Sequence, residues 1–209
     1  PIYKSSQNIL EISGAALFGA ISIVFYIFTN KLLPRVPGWG IAIIDPVSII
    51  WVMCFLIFGT KAGLLSTVIG TLGIMPFDDF TPIGPLMKFA ATVSLIIVPI
   101  LFLRLYKKKE GVRNSQKIKK PRNYIVYGLL GVLLRIGVMM VCNFLLFVTL
   151  YVGGEAFVNL GFIGLPDISG WTAIIIGVIL INAETSLWDL LFPYIIVFGS
   201  KMDHWFSIW

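Results

Sequence analysis

Charge is scarce in this chain. Only 12% of its 209 residues are Asp, Glu, Lys or Arg, against a norm of about 25% in soluble domains. Histidine is nearly absent: His204 is the sole one, in a polar C-terminal tail, which argues against a His-based metal site or a proton relay. Cysteine is equally rare. Cys54 and Cys142 both lie inside apolar runs and read as small buried apolar residues, neither a disulfide nor a metal site. No Gly-rich loop of the phosphate-cradling kind is present, so the chain is not expected to hydrolyse ATP itself. No Arg-rich voltage-sensing segment occurs, and no cofactor is expected. The start does not resemble a cleavable signal.

What is abundant is apolar surface. The AVILMFWYC residues make up 58% of the chain, and mean hydropathy is +0.95. That balance excludes a water-soluble enzyme, a disordered chain and a nucleic-acid module, and nucleic acid is not an expected partner. A polytopic all-α membrane protein in a lipid bilayer is the expected class. At roughly 20 residues per crossing the length allows about six spans in one compact bundle.

Six apolar segments can be read in this single domain, residues 1–209. They lie at about 12–33, 45–59, 61–76, 83–106, 123–152 and 183–201. The second opens with Asp45-Pro46, a helix cap followed by Pro at the first helical position. The third is short and Gly-rich, as a helix packed inside a bundle can be. The last apolar region, 168–200, exceeds one straight span. The polar patch Asn182 to Ser186 interrupts it, so the expectation is a re-entrant or loop segment at 170–181 followed by a spanning helix.

Nine of the sixteen basic residues fall between Arg104 and Arg122. With six spans and both termini inside, that cluster joins Lys4, Lys61 and Lys201 on the cytoplasmic side. Asp78, Asp79, Glu155 and Asp167 fall outside. Lys31 and Arg35 are the only basic residues assigned to an outer loop, so the positive-inside rule is satisfied.

Polar residues at membrane depth are costly unless paired or functional. In this topology Lys88, Asn143, Glu184 and Asp189 lie towards the outer side of the last three segments, where they can share one cavity. Ligand contact is the favoured role for Asn143 and Asp189. Lys88 and Arg135 fit either a ligand role or an internal ion pair such as Lys88 with Glu184. Arg135 lies nearer the cytoplasm, where packing or partner docking is expected. Trp188 beside Asp189 suits stacking on a flat polar ring, or lipid-facing packing. Trp39 and Trp171 read as interfacial anchors or a lid, and Trp205 and Trp209 as anchors. Ala16 and Ala20 form a small-residue stripe, as do Ala15 and Gly19. Such stripes let another helix approach, from a partner or from the chain itself.

In order along the chain, the Ala16/Ala20 stripe, FLIFGTKAGLLSTVIGTLG, IGPLMKFAATVSLIIVPILFLRLYKK, NFLLFVTLY and the polar break after residue 181 form a pattern. This pattern resembles the S-components of energy-coupling factor (ECF) vitamin transporters, with the riboflavin branch nearest. The resemblance covers most of the chain. It implies a multi-pass protein of a prokaryotic plasma membrane that binds a vitamin, riboflavin or another B vitamin, from outside. It implies two kinds of partner: a transmembrane coupling protein and two ATPase subunits that do the ATP hydrolysis of this ABC-type importer. Ala16 and Ala20 would meet the coupling protein. Asn143 matches the family's Asn, and Asp189 its Asp; Phe192 stands where the family has Lys. Glu184 and Trp188 lie where ligand contacts are expected, and the stretch Pro34 to Ile44 is expected to act as a lid. The alternatives are a stand-alone gradient-driven carrier and an integral membrane enzyme. For the enzyme, Glu184 with Asp189 is the sole crude acid–base pair, and a five-residue spacing does not set them on one helix face.

Overall fold

The computed structural model describes residues 2–33, 44–105 and 114–206. Helix accounts for 85% of them, which sets the class as all-α. The helices are α1 (Ile2–Thr29), α2 (Pro46–Phe58), α3 (Thr60–Ile74), α4 (Ile83–Leu105), α5 (Asn114–Lys119), α6 (Pro121–Thr149), α7 (Gly170–Gly199) and α8 (Met202–Phe206). Two short antiparallel strands, β1 (Asn159–Leu160) and β2 (Leu165–Ser169), lie in the connection between α6 and α7. The expected lid residues 34–43, with Trp39, lie outside the described residues. So do Lys107, Lys108, Lys109, Arg113 and Trp209.

Among the described residues, four helices are long and apolar enough to cross a membrane: Ser6–Thr29 of α1, then α4, α6 and α7. The second and third predicted segments form shorter helices of 13 and 15 residues. At 1.5 Å per residue these reach only about 20 Å and 22 Å. They fold back on each other at Gly59, whose φ of 94° is one an L side chain rarely adopts. A Cβ at Gly63 would meet Phe55, and one at Gly70 would meet Trp51, so the pair is a tight hairpin. Asp45 caps α2 by accepting a hydrogen bond from the Val47 amide at 3.1 Å, with Pro46 at the first position. α2 is the central helix, and most of its side chains are buried.

Small residues set the spacing around this hairpin. A Cβ on Gly19 would come within 2.7 Å of Ile69, so α1 and α3 touch nearly backbone to backbone. The Ser22 hydroxyl fills a remaining gap, accepting from Trp51 Nε1 at 2.9 Å and donating to the Gly19 carbonyl at 2.7 Å. Gly131 brings α6 against α4 in the same way, its Cβ position lying 2.6 Å from the Leu95 carbonyl. Large apolar side chains on the outward faces are exposed, among them Ile12, Leu17, Phe28, Leu133 and Phe144.

The expected break before the last helix does not form. α7 is continuous for 30 residues, from Gly170 to Gly199, and includes the 170–181 stretch read as re-entrant. The polar patch does not interrupt the backbone, and two of its side chains bond back along the same helix. Asn182 donates to the Val178 carbonyl at 2.9 Å and Thr185 to the Ile181 carbonyl at 2.8 Å.

The first half of α1, the α2–α3 junction, α5 and α8 gather at one end of the bundle. Glu11 lies 3.9 Å from Lys61, the Phe58 and Phe206 rings are 4.8 Å apart, and Lys119 bonds Asp203 at 3.0 Å. The opposite end is tied by Tyr26 donating to Asp78 at 2.5 Å and by a Lys88–Asp45 ion pair.

Candidate functional site

A cavity of about 570 Å³ opens among the helix ends tied by those last two contacts. α4 and α6 form its walls. The starts of α2 and the α3–α4 connection form its rim, and α7 supplies part of its floor. Phe157 and Val158, from the connection between α6 and α7, cover one side. That connection is held down by Val158 and Leu160, which pack on Ala173, Ile174 and Val178 of α7.

The floor is a buried polar network. Arg135 projects from α6 into the face of α7 that carries Asn182, Thr185 and Asp189. Its Nε donates to Asn182 Oδ1 at 3.2 Å, Nη2 to the Thr185 hydroxyl at 3.0 Å and Nη1 to Asp189 Oδ2 at 2.5 Å. The other Asp189 oxygen accepts from the Ser48 hydroxyl of α2 at 2.6 Å. Three helices are thereby pinned to one carboxylate. A guanidinium is suited to this, since its planar fork spreads one charge over several directed donors. The helical period explains the cluster: 182, 185 and 189 recur at intervals of three and four and share one face.

Higher up, Lys88 of α4 pairs with Asp45 at the start of α2. One turn deeper, Thr92 is 1% exposed, and its hydroxyl has no hydrogen-bond partner among the described residues. Asn143 of α6 is buried on the facing wall and donates to the Met139 carbonyl at 2.8 Å. Met87, Met139 and Phe147 give the cavity its apolar surface.

Of the residues singled out from the sequence, Lys88, Asn143 and Arg135 line this cavity, Arg135 at its floor instead of at a partner-docking surface. Asp189 lies beneath the floor, 0% exposed, sealed by Arg135 and Ser48. Glu184 and Trp188 are turned to a different face of α7. Trp188 Nε1 donates to Glu184, and its ring stacks on Phe192 at 5.4 Å. Lys88 does not pair with Glu184; Asp45 takes that place. The two stripes of α1 diverge. Gly14, Ala15 and Gly19 face the bundle, whereas Ala16 and Ala20 are exposed.

The sequence expectations leave out five participants, among them Ser48, which bonds Asp189 from α2. Asp45 looked like a cap alone, yet it both caps α2 and pairs with Lys88. Thr92 follows Lys88 by four residues, the spacing of one helix face, and that signal was available. Tyr26 and Asp78 meet only through the fold, across 52 positions of chain. Comparison with protein-family models, with curated proteins and with solved structures gives no match to this chain.

Proposed function

We propose that this chain is the membrane-embedded substrate-binding subunit of an ECF-type importer and performs no catalysis itself. It takes a vitamin-like micronutrient from outside the cell. It delivers that ligand with a transmembrane coupling protein and two ATPase subunits. One observation carries the reading: a cavity of about 570 Å³, lined by Lys88 and Asn143, at the end of the bundle away from Lys61, Lys119 and Lys201. By the positive-inside rule the basic end is cytoplasmic, so the cavity faces out. The volume suits one small organic molecule. The four long apolar helices support membrane embedding. The exposed Ala16/Ala20 stripe offers a coupling protein a close approach on α1, while the buried stripe beside it is already used inside the chain.

The test uses the full chain in lipid nanodiscs, titrated with a panel of B vitamins and mixed with a coupling protein. Micromolar or tighter binding of one vitamin is expected, weakened about tenfold or more by Asn143→Ala. Association with the coupling protein is expected to be lost in Ala16→Trp and Ala20→Trp, with vitamin binding kept. No binding and no association would sink the proposal. Solute accumulation by liposomes holding this chain alone would favour a gradient-driven carrier instead.

A further inference from the structure

The two cations among the described lining residues are both already neutralised. Lys88 is held by Asp45. Each guanidinium nitrogen of Arg135 is engaged, on Asn182, Thr185 and Asp189. A third carboxylate, Asp78, lines the same cavity. Its oxygens accept from neutral donors, the Tyr26 hydroxyl at 2.5 Å and the Phe80 amide at 2.7 Å. It pairs with no cation among the described residues. Two cations therefore stand against three carboxylates, Asp45, Asp78 and Asp189. Among the described lining residues, a negatively charged ligand entering here gives up its hydration, finds no open cation and meets a surplus negative charge in a medium of low dielectric.

The second observation is Thr92. A buried hydroxyl nearly always has a partner, and a helical Thr can take one from its own preceding turn. Thr92 takes none: its hydroxyl is buried in the cavity wall and unpaired among the described residues. Asn143 opposite spends one amide N–H on Met139 and retains a carboxamide oxygen and a second N–H. These are donor and acceptor positions suited to a polar edge.

Resting on the binding role proposed above, we infer that the cavity takes a ligand without net negative charge. Its polar edge hydrogen-bonds Thr92 and Asn143, and its apolar body lies against Met87, Met139 and Phe147. Phosphorylated and carboxylate forms of the same molecule are rejected by charge.

Matched pairs of compounds test this by calorimetric titration of the full chain in nanodiscs: riboflavin against flavin mononucleotide, pyridoxine against pyridoxine phosphate, and nicotinamide against nicotinate. At least one neutral member is expected to bind, at least about tenfold tighter than its anionic partner. Thr92→Val, nearly isosteric and without a hydrogen bond to lose, is expected to weaken that neutral compound about fivefold with an unchanged melting temperature. Asp78→Asn is expected to narrow the gap between the paired forms. An anionic member that binds as tightly as its neutral partner overturns the inference and leaves the binding role standing. Unchanged affinity in Thr92→Val overturns the placement of the polar edge. An unnarrowed gap in Asp78→Asn overturns the charge selection. If neither form of any compound binds, the binding role falls, and this inference with it.

Discussion

Asp189 illustrates how the same carboxylate reads differently at the scale of one residue and in its surroundings. In the sequence it is an acidic residue at membrane depth, which points to a ligand. In the fold both its oxygens are committed, one to Arg135 and one to Ser48, and it has no exposed surface. Removing one partner of such a pair leaves the other charged group buried and unpaired, a cost of about 3–5 kcal/mol. Asp189→Ala and Arg135→Ala are each expected to lower the melting temperature in detergent sharply. The double variant Arg135→Met/Asp189→Leu should recover much of the loss, since two apolar residues leave no bare charge. If Asp189→Ala melts like the parent chain, the network does not hold the bundle together. Trp188 is the contrasting case. Its ring stacks on Phe192, away from the cavity, so Trp188→Ala should leave vitamin affinity within about twofold of the parent, read by the same titration.

At the scale of elements, α7 shows why the polar patch misled. Asn, Thr and Ser between apolar runs resemble a break, because their side chains compete for backbone groups. For Asn182 and Thr185 that competition is settled inside the helix, by bonds to the Val178 and Ile181 carbonyls, while the same side chains also meet Arg135. The patch is the polar face of a continuous helix. Amides 178–186 should therefore be as protected in hydrogen exchange as those of 190–196; rapid exchange confined to 178–186 would restore the re-entrant loop. Glycine decides the distance between α4 and α6. A methyl group at Gly131 would press on the Leu95 carbonyl, a backbone atom that cannot swing aside. Gly131→Ala is expected to destabilise by about 1–3 kcal/mol, measured by thermal melting, whereas Gly137→Ala, with open space around its Cβ position, should not.

The whole molecule has two unlike ends. One gathers Lys61, Lys119 and Lys201; the other holds the cavity mouth, the Lys88–Asp45 pair, Asp78 and Glu155. If the basic end is cytoplasmic, a cysteine at position 155 is labelled in intact cells by a membrane-impermeant maleimide, and one at position 200 only after the cells are opened. The background for both is a chain with Cys54 and Cys142 replaced by Ser. The reverse pattern would turn the protein over and place the cavity inside.

The all-α class and most of the apolar segments can be read without the fold, whereas the continuity of the last segment cannot. Apolar runs can be read without knowing what they pack on, because surplus apolar surface has to leave water whatever the fold. The start of α2 is legible for a local reason, a cap followed by a proline at the first helical position. The clustering of cations at one end was also in the sequence, since topology follows from which loops carry Lys and Arg. Only the tertiary structure decided the site. It took Asp189 out of reach, gave Lys88 to Asp45, turned Glu184 and Trp188 away, and left Thr92 without a partner. Those outcomes depend on which helix faces meet across 43 to 141 positions of chain. Periodicity fixes the face a residue shares with its own helix, but not the partner that face will find.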